Sequence, residues 1–214
     1  MVKNTKNGPF IKSNFVIKYG YGFYYLKLQR GKEVLIMNLK LKKIVTAALF
    51  AALACVATMS IRIPTPGTGG YIHPGDAVVI LSGVILGPGW GLLAAGIGSA
   101  MADLLGGYLI YVPITFVVKG AVGYAAGSIY QKIGKTQKSR YAAVVFGGMC
   151  DIILVAAGYF VCEVMLYGAA AAAVSVPANV IQGISGLVIG VVLYRALLTV
   201  PGIRQAANEV KANS

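Results

Sequence analysis

The sequence predicts an all-α membrane protein, a single bundle of six transmembrane helices with both termini in the cytoplasm. Three observations carry this expectation. The chain is 57% hydrophobic and only 12% charged, a composition found in membrane rather than soluble globular proteins. Its apolar residues gather into runs of roughly 17–25, the length that crosses a bilayer as helix, and in lipid only helices and closed barrels satisfy their own backbone. Its basic residues alternate from loop to loop as the positive-inside rule requires. Lys40, Lys42 and Lys43 precede the first run, Lys132, Lys135, Lys138 and Arg140 separate the fourth from the fifth, and Arg195 and Arg204 end or follow the sixth. The intervening loops hold only Arg62, His73 and Asp76, or no charge.

Residues 1–36 are basic and Tyr-rich and show no sustained helical period. Two readings fit. One is a basic arm that touches anionic lipid. The other takes Met37 as the biological start, because Lys32-Glu33-Val34 can be encoded by a bacterial ribosome-binding sequence and MNLKLKKIVTAALFAAL follows. Residues 37–200 then form the six-helix membrane domain and residues 201–214 a cytoplasmic tail. The net charge of +13 is no nucleic-acid signal, since ten of the basic residues lie before Ile44 and most others sit in orienting loops.

The runs are placed at residues 44–63, 76–88, 90–106, 112–131, 141–167 and 177–199. The first contains Ala47, Ala48, Ala51 and Ala52, two pairs four apart that let another helix approach closely. Similar pairs recur at Gly83/Gly87, Gly123/Gly127 and Gly186/Gly190. Residues 64–75 carry three prolines and four glycines, which argue against regular structure. Tyr71, His73 and Asp76 place polar groups in and beside that outer loop, which is long enough to act as a lid. The second run is short, so it must tilt or bury itself against neighbours. Gly87-Pro-Gly-Trp90 is a tight cytoplasmic turn with its Trp at an interface.

Polar residues at membrane depth are the functional candidates. Asp103 lies near the outer end of the third run, and Lys119 roughly 10 Å below the outer end of the fourth at the helical rise. Asp151, Tyr159, Glu163 and Tyr167 recur at multiples of four and form one slanting stripe. Asn179 and Gln182 share a face of the sixth run. Asp103 and Lys119 either seal two helices as an ion pair or join the others around an outward polar pocket with tyrosine walls, suited to a small, flat, hydrogen-bonding molecule.

Several chemistries are excluded. Cys55, Cys150 and Cys162 fit neither a zinc site nor a disulfide framework and read as buried small side chains; the lipoprotein-like Ala54-Cys55 is followed by more apolar residues. With one histidine there is no histidine metal cluster, and no Ser–His pair has a place to work. Gly134-Lys135-Thr136 is no phosphate loop, because Ile129 stands where the first glycine belongs. No catalytic residue, cofactor or metal is expected.

IHPGDAVVILSGVILGPGWGLLAAGIGSAMADLLGGY, VPITFVVKGAVG and PANVIQGISG together resemble the substrate-binding S components of energy-coupling factor (ECF) vitamin transporters. The nearest branch includes riboflavin, pyridoxine and hydroxymethylpyrimidine carriers. The resemblance spans Met37 to about Leu198. It implies a multi-pass subunit of the bacterial cytoplasmic membrane that binds a water-soluble vitamin or precursor beneath the first loop. It also implies a complex with a transmembrane T component and two cytoplasmic ATPases. An Ala-xxx-Ala face of the first helix, Ala47/Ala51 or Ala48/Ala52, would dock the T component. Lys119, Tyr159, Glu163, Asn179 and Gln182 match the family pocket by location. The alternatives from other classes are a stand-alone proton-coupled carrier using Asp103 or Glu163, and a purely structural subunit. Neither of the latter two needs an ATPase.

Overall fold

A short helix enclosed by longer ones organises the bundle. The computed structural model describes residues 41–212; the basic N-terminal segment and the expected start at Met37 lie outside the described residues. The helices are α1 (Leu41–Ser60), α2 (Asp76–Leu86), α3 (Pro88–Gly106), α4 (Tyr111–Ile133), α5 (Gln137–Tyr167), α6 (Ala169–Leu197) and α7 (Pro201–Ala212). Five of them, α1 and α3 to α6, are long and apolar enough to cross a membrane.

The second run does not qualify as a span. At 11 residues α2 reaches only about 16 Å, against ~30 Å of hydrocarbon. It compensates by burial. Val79, Ile80, Leu81, Val84 and Ile85 are inaccessible or nearly so, and α3, α4, α5, α6 and α7 all pack on it. Glycine makes this possible where α2, α3 and α4 cross. A Cβ at Gly83 would overlap the backbone of Gly123, and one at Gly123 would lie 2.5 Å from Gly91 O. Three backbones therefore touch without side chains between them, the close approach that association in lipid rewards.

Helix boundaries depart from the apolar runs for identifiable reasons. α5 starts at Gln137, ahead of residue 141, because Thr136 and Ser139 form a reciprocal cap: Ser139 N–H donates to Thr136 Oγ1 (3.2 Å) and Thr136 N–H to Ser139 Oγ (2.8 Å). α6 begins at Ala169 and contains Pro177 internally, so the proline is not its first residue. Membrane helices tolerate an internal proline where neighbours re-satisfy the backbone. The expected tail is helical: α7 is amphipathic and packs on α2 and α4, with Ala207 fully buried.

The outer loop is not irregular throughout. Ile63–Pro64 (β1) and Tyr71–Ile72 (β2) pair antiparallel, Ile63 opposite Ile72 and Pro64 opposite Tyr71. Thr65 N–H donates to Gly70 O at 3.0 Å and Thr65 and Thr68 share a hydroxyl bond at 2.8 Å. The prolines and glycines thus shape a hairpin, with Pro64 on a two-residue ladder that spares its missing donor.

The two alanine pairs of α1 face different ways. Ala47 is 7% exposed, and Ala51 presents its backbone to Gly98 of α3. Ala48 and Ala52 are exposed. The cysteines are half-buried thiols, not fully buried ones.

Candidate functional site

Beneath the hairpin, the ends of α3 to α6 leave a cavity of about 330 Å³ including its open mouth. The hairpin roofs it with Thr65, Gly70, Tyr71 and His73; Asp103, Tyr111, Thr115, Tyr159, Glu163 and Asn179 wall it. Four residues expected on the helices, Asp103, Tyr159, Glu163 and Asn179, therefore come together, with Tyr71 and His73 of the loop.

The polar groups are mutually ordered. Tyr71 donates its hydroxyl to Asp103 Oδ1 at 2.7 Å. Tyr111 donates to Glu163 Oε1 at 3.0 Å, and Ser175 donates to Glu163 Oε2. Thr115 and Tyr159 share a hydroxyl bond at 2.9 Å. The Tyr111 and Tyr159 rings stand 6.3 Å apart, tilted, as aromatic pairs prefer.

Lys119, Gln182 and Asp76 do not line the cavity. They form a buried lattice that ties the hairpin to α2, α4 and α6. Lys119 Nζ donates to Asp76 Oδ1 at 2.5 Å, both side chains being fully inaccessible. Gln182 Nε2 donates to Asp76 Oδ2 at 2.8 Å, and His73 N–H donates to Gln182 Oε1 at 3.1 Å. This corrects two expectations. Asp76 belongs to the first turn of α2, where the helix dipole favours a carboxylate, and not to the lid. Lys119 pairs with Asp76 and not with Asp103. Gly186 permits the arrangement, since a Cβ there would lie 2.6 Å from Asp76 Cβ.

Burial lowers the pKa of His73 to about 4, desolvation outweighing the nearby Asp76. The ring is neutral at pH 7, and its Nδ1 accepts the Gly75 N–H at 3.1 Å. Tyr71 is pushed up by burial and by its bond to Asp103, so it remains a donor.

Tyr167 is not a wall. It is 39% exposed at the end of α5, its hydroxyl against Gly69. Asp151 continues the α5 stripe but lies outside the cavity, buried, with neither carboxyl oxygen bonded among the described residues. Tyr111 and Thr115 were not foreseen, although Tyr111, Thr115 and Lys119 repeat every four residues, the same periodicity that exposed the α5 stripe. Thr65 and Gly70 carry no periodic signal at all.

Residues 38–199 match the protein family described as "ECF-type riboflavin transporter, S component". An uncharacterized protein of Pyrococcus woesei is 35% identical over 135 residues, 63% of this chain and 87% of that relative. The thiamine precursor transporter HmpT of Lactococcus lactis subsp. cremoris is 28% identical over 157 residues, 73% of this chain and 87% of that protein. A solved structure of the S component of a bacterial ECF transporter superposes with a TM-score of 0.58 at 23% identity, covering 75% of this chain and 97% of the other; at that identity the likeness is one of fold.

Proposed function

The chain belongs to the ECF-type riboflavin transporter S-component family, a family of multi-pass membrane proteins and not of enzymes, and from that premise we propose that it is the substrate-binding subunit of an ECF-type ABC importer. Its cargo is a water-soluble vitamin or precursor of the hydroxymethylpyrimidine, pyridoxine or riboflavin class. The observation that carries the reading is the cavity under the hairpin. It combines tyrosine faces with a few convergent polar groups (Asp103, Glu163, Asn179), the composition of a small-molecule site. The thiamine precursor transporter among the relatives supports a heterocyclic cargo.

Each part of the chain has a role in this reading. The hairpin closes over the ligand on the outer face, with both termini cytoplasmic. The Lys119–Asp76–Gln182 lattice holds the lid's anchor to the bundle floor. Asn179 hydrogen-bonds the ligand, and Tyr159 and Tyr111 pack on its ring. The energy comes from elsewhere. Ile129 removes the glycine a phosphate loop needs, so two cytoplasmic ATPases and a T component drive uptake. The T component docks on the exposed Ala48/Ala52 pair of α1, where small residues allow backbone approach.

Reconstitution in lipid vesicles tests the proposal. The protein with T and ATPase subunits accumulates radiolabelled vitamin only when ATP is supplied, and the protein alone accumulates none under an imposed pH gradient. Gradient-driven accumulation by the protein alone would replace this reading with a proton-coupled carrier.

A further inference from the structure

The cavity holds a carboxyl oxygen with no hydrogen-bond partner among the described residues. Asp103 lines it and takes the Tyr71 hydroxyl on Oδ1. Its Oδ2 is buried and has no hydrogen-bond partner among the described residues. The Thr115 hydroxyl reaches the same carboxyl while it shares a bond with Tyr159, and Oδ2 still lacks a partner. Glu163, the other carboxylate of the lining, has both oxygens bonded, to Tyr111 and Ser175. A buried acceptor left empty is costly, so a donor carried by the ligand completes the site.

The charge around the cavity restricts that donor further. Two carboxyl groups line it, and among the described residues no lysine or arginine does. Lys119 is neutralised by Asp76 at 2.5 Å and lies 5.6 Å from the Tyr159 ring centroid. Arg62 sits over the Tyr71 and Tyr108 rings and is not part of the lining. His73 is uncharged. A ligand carboxylate or phosphate would face two carboxyl groups and no lysine or arginine among the described lining residues, whereas an amino group or protonated ring finds an unpartnered carboxyl oxygen.

We propose that Asp103 Oδ2 is the specificity-determining acceptor of this pocket, receiving an N–H from a compact aromatic ring that bears an amino group and no anionic group. The inference rests on the reading of the chain as a vitamin-binding subunit. Tyr71 has a second part in it. By occupying Oδ1 from the lid, it leaves Oδ2 as the oxygen open to the ligand.

Calorimetry on the purified full-length protein tests this with three probes: a hydroxymethyl aminopyrimidine, the same ring with hydrogen in place of the amino group, and the phosphate monoester of the first. The amino alcohol binds about tenfold to a hundredfold more tightly than the deamino ring, the range expected when a buried acceptor loses its donor. The phosphate ester binds more weakly still. Tyr71→Phe keeps an amino preference of that order, and Tyr71→Phe with Asp103→Leu, which removes both partners together, abolishes it. The wild-type comparison stands whether or not the double variant folds. Equal binding of the deamino ring or of the ester overturns the Asp103 assignment and leaves the vitamin-carrier reading in place. So does binding of a flavin with no binding of the aminopyrimidine. Failure of every vitamin-class probe overturns both.

Discussion

A lysine with no solvent contact survives in a membrane bundle only where a carboxylate meets it. Lys119 and Asp76 meet at 2.5 Å, fully buried, with Gln182 on the second carboxylate oxygen. Such a pair is weak evidence of net stability, but removing one partner strands the other charge. Lys119→Met is therefore expected to lower stability by about 3–5 kcal/mol, and Lys119→Met with Asp76→Asn to recover much of the loss. Thermal melts in detergent measure both; a single variant as stable as the parent sinks the argument. Residue chemistry explains why the sequence alone left the pairing open. Asp103 and Asp76 are each near a helix end, and spacing along the chain does not say which carboxylate faces α4. The same ambiguity hid Tyr111 and Thr115. Their period of four was visible, but tyrosine and threonine at that spacing serve equally well as packing.

At the scale of the element, α1 shows what a period can and cannot say. Ala47/Ala51 and Ala48/Ala52 are equivalent in sequence. In the structure the first pair packs inward, with Ala51 against Gly98, and the second faces out. Ala48→Trp and Ala52→Trp are expected to leave ligand affinity and melting temperature near the parent's and to stop ATP-driven uptake. Ala47→Trp and Ala51→Trp overpack the α1–α3 contact instead and lower stability by about 1–3 kcal/mol. Uptake that survives at both outward positions removes the docking role of this face. Other element boundaries were displaced by features that hydropathy does not register. The Thr136–Ser139 cap adds a polar first turn to α5, and the internal Pro177 reads in sequence as a helix start.

Over the whole molecule, protection is distributed unevenly. α2 is enclosed by five other helices, whereas the hairpin is held by one two-residue ladder and a few side chains. Opening free energies follow such differences in packing. Hydrogen exchange is expected to be slowest at α2 with or without ligand. Residues 63–72 exchange quickly in the free protein and at least tenfold more slowly once a ligand bridges them to Asp103. Equal protection of the hairpin in both states removes it as a lid.

The sequence by itself determined the membrane class, the order and approximate place of the helices, and the family. Apolar runs and charge alternation answer to the bilayer, an external reference that needs no tertiary contact. It also picked out most of the polar residues that converge, because charge in hydrocarbon is conspicuous wherever it points. The tertiary structure decided what each of them faces. Rotation of one helix about its axis moves a side chain from lattice to cavity without changing its depth, and that rotation is set by glycine contacts between distant segments, Gly83 on Gly123 and Gly186 on Asp76. Gly186 on Asp76 makes room for the strut that Lys119 forms, and Gly98 on Ala51 turns Ala48 and Ala52 outward.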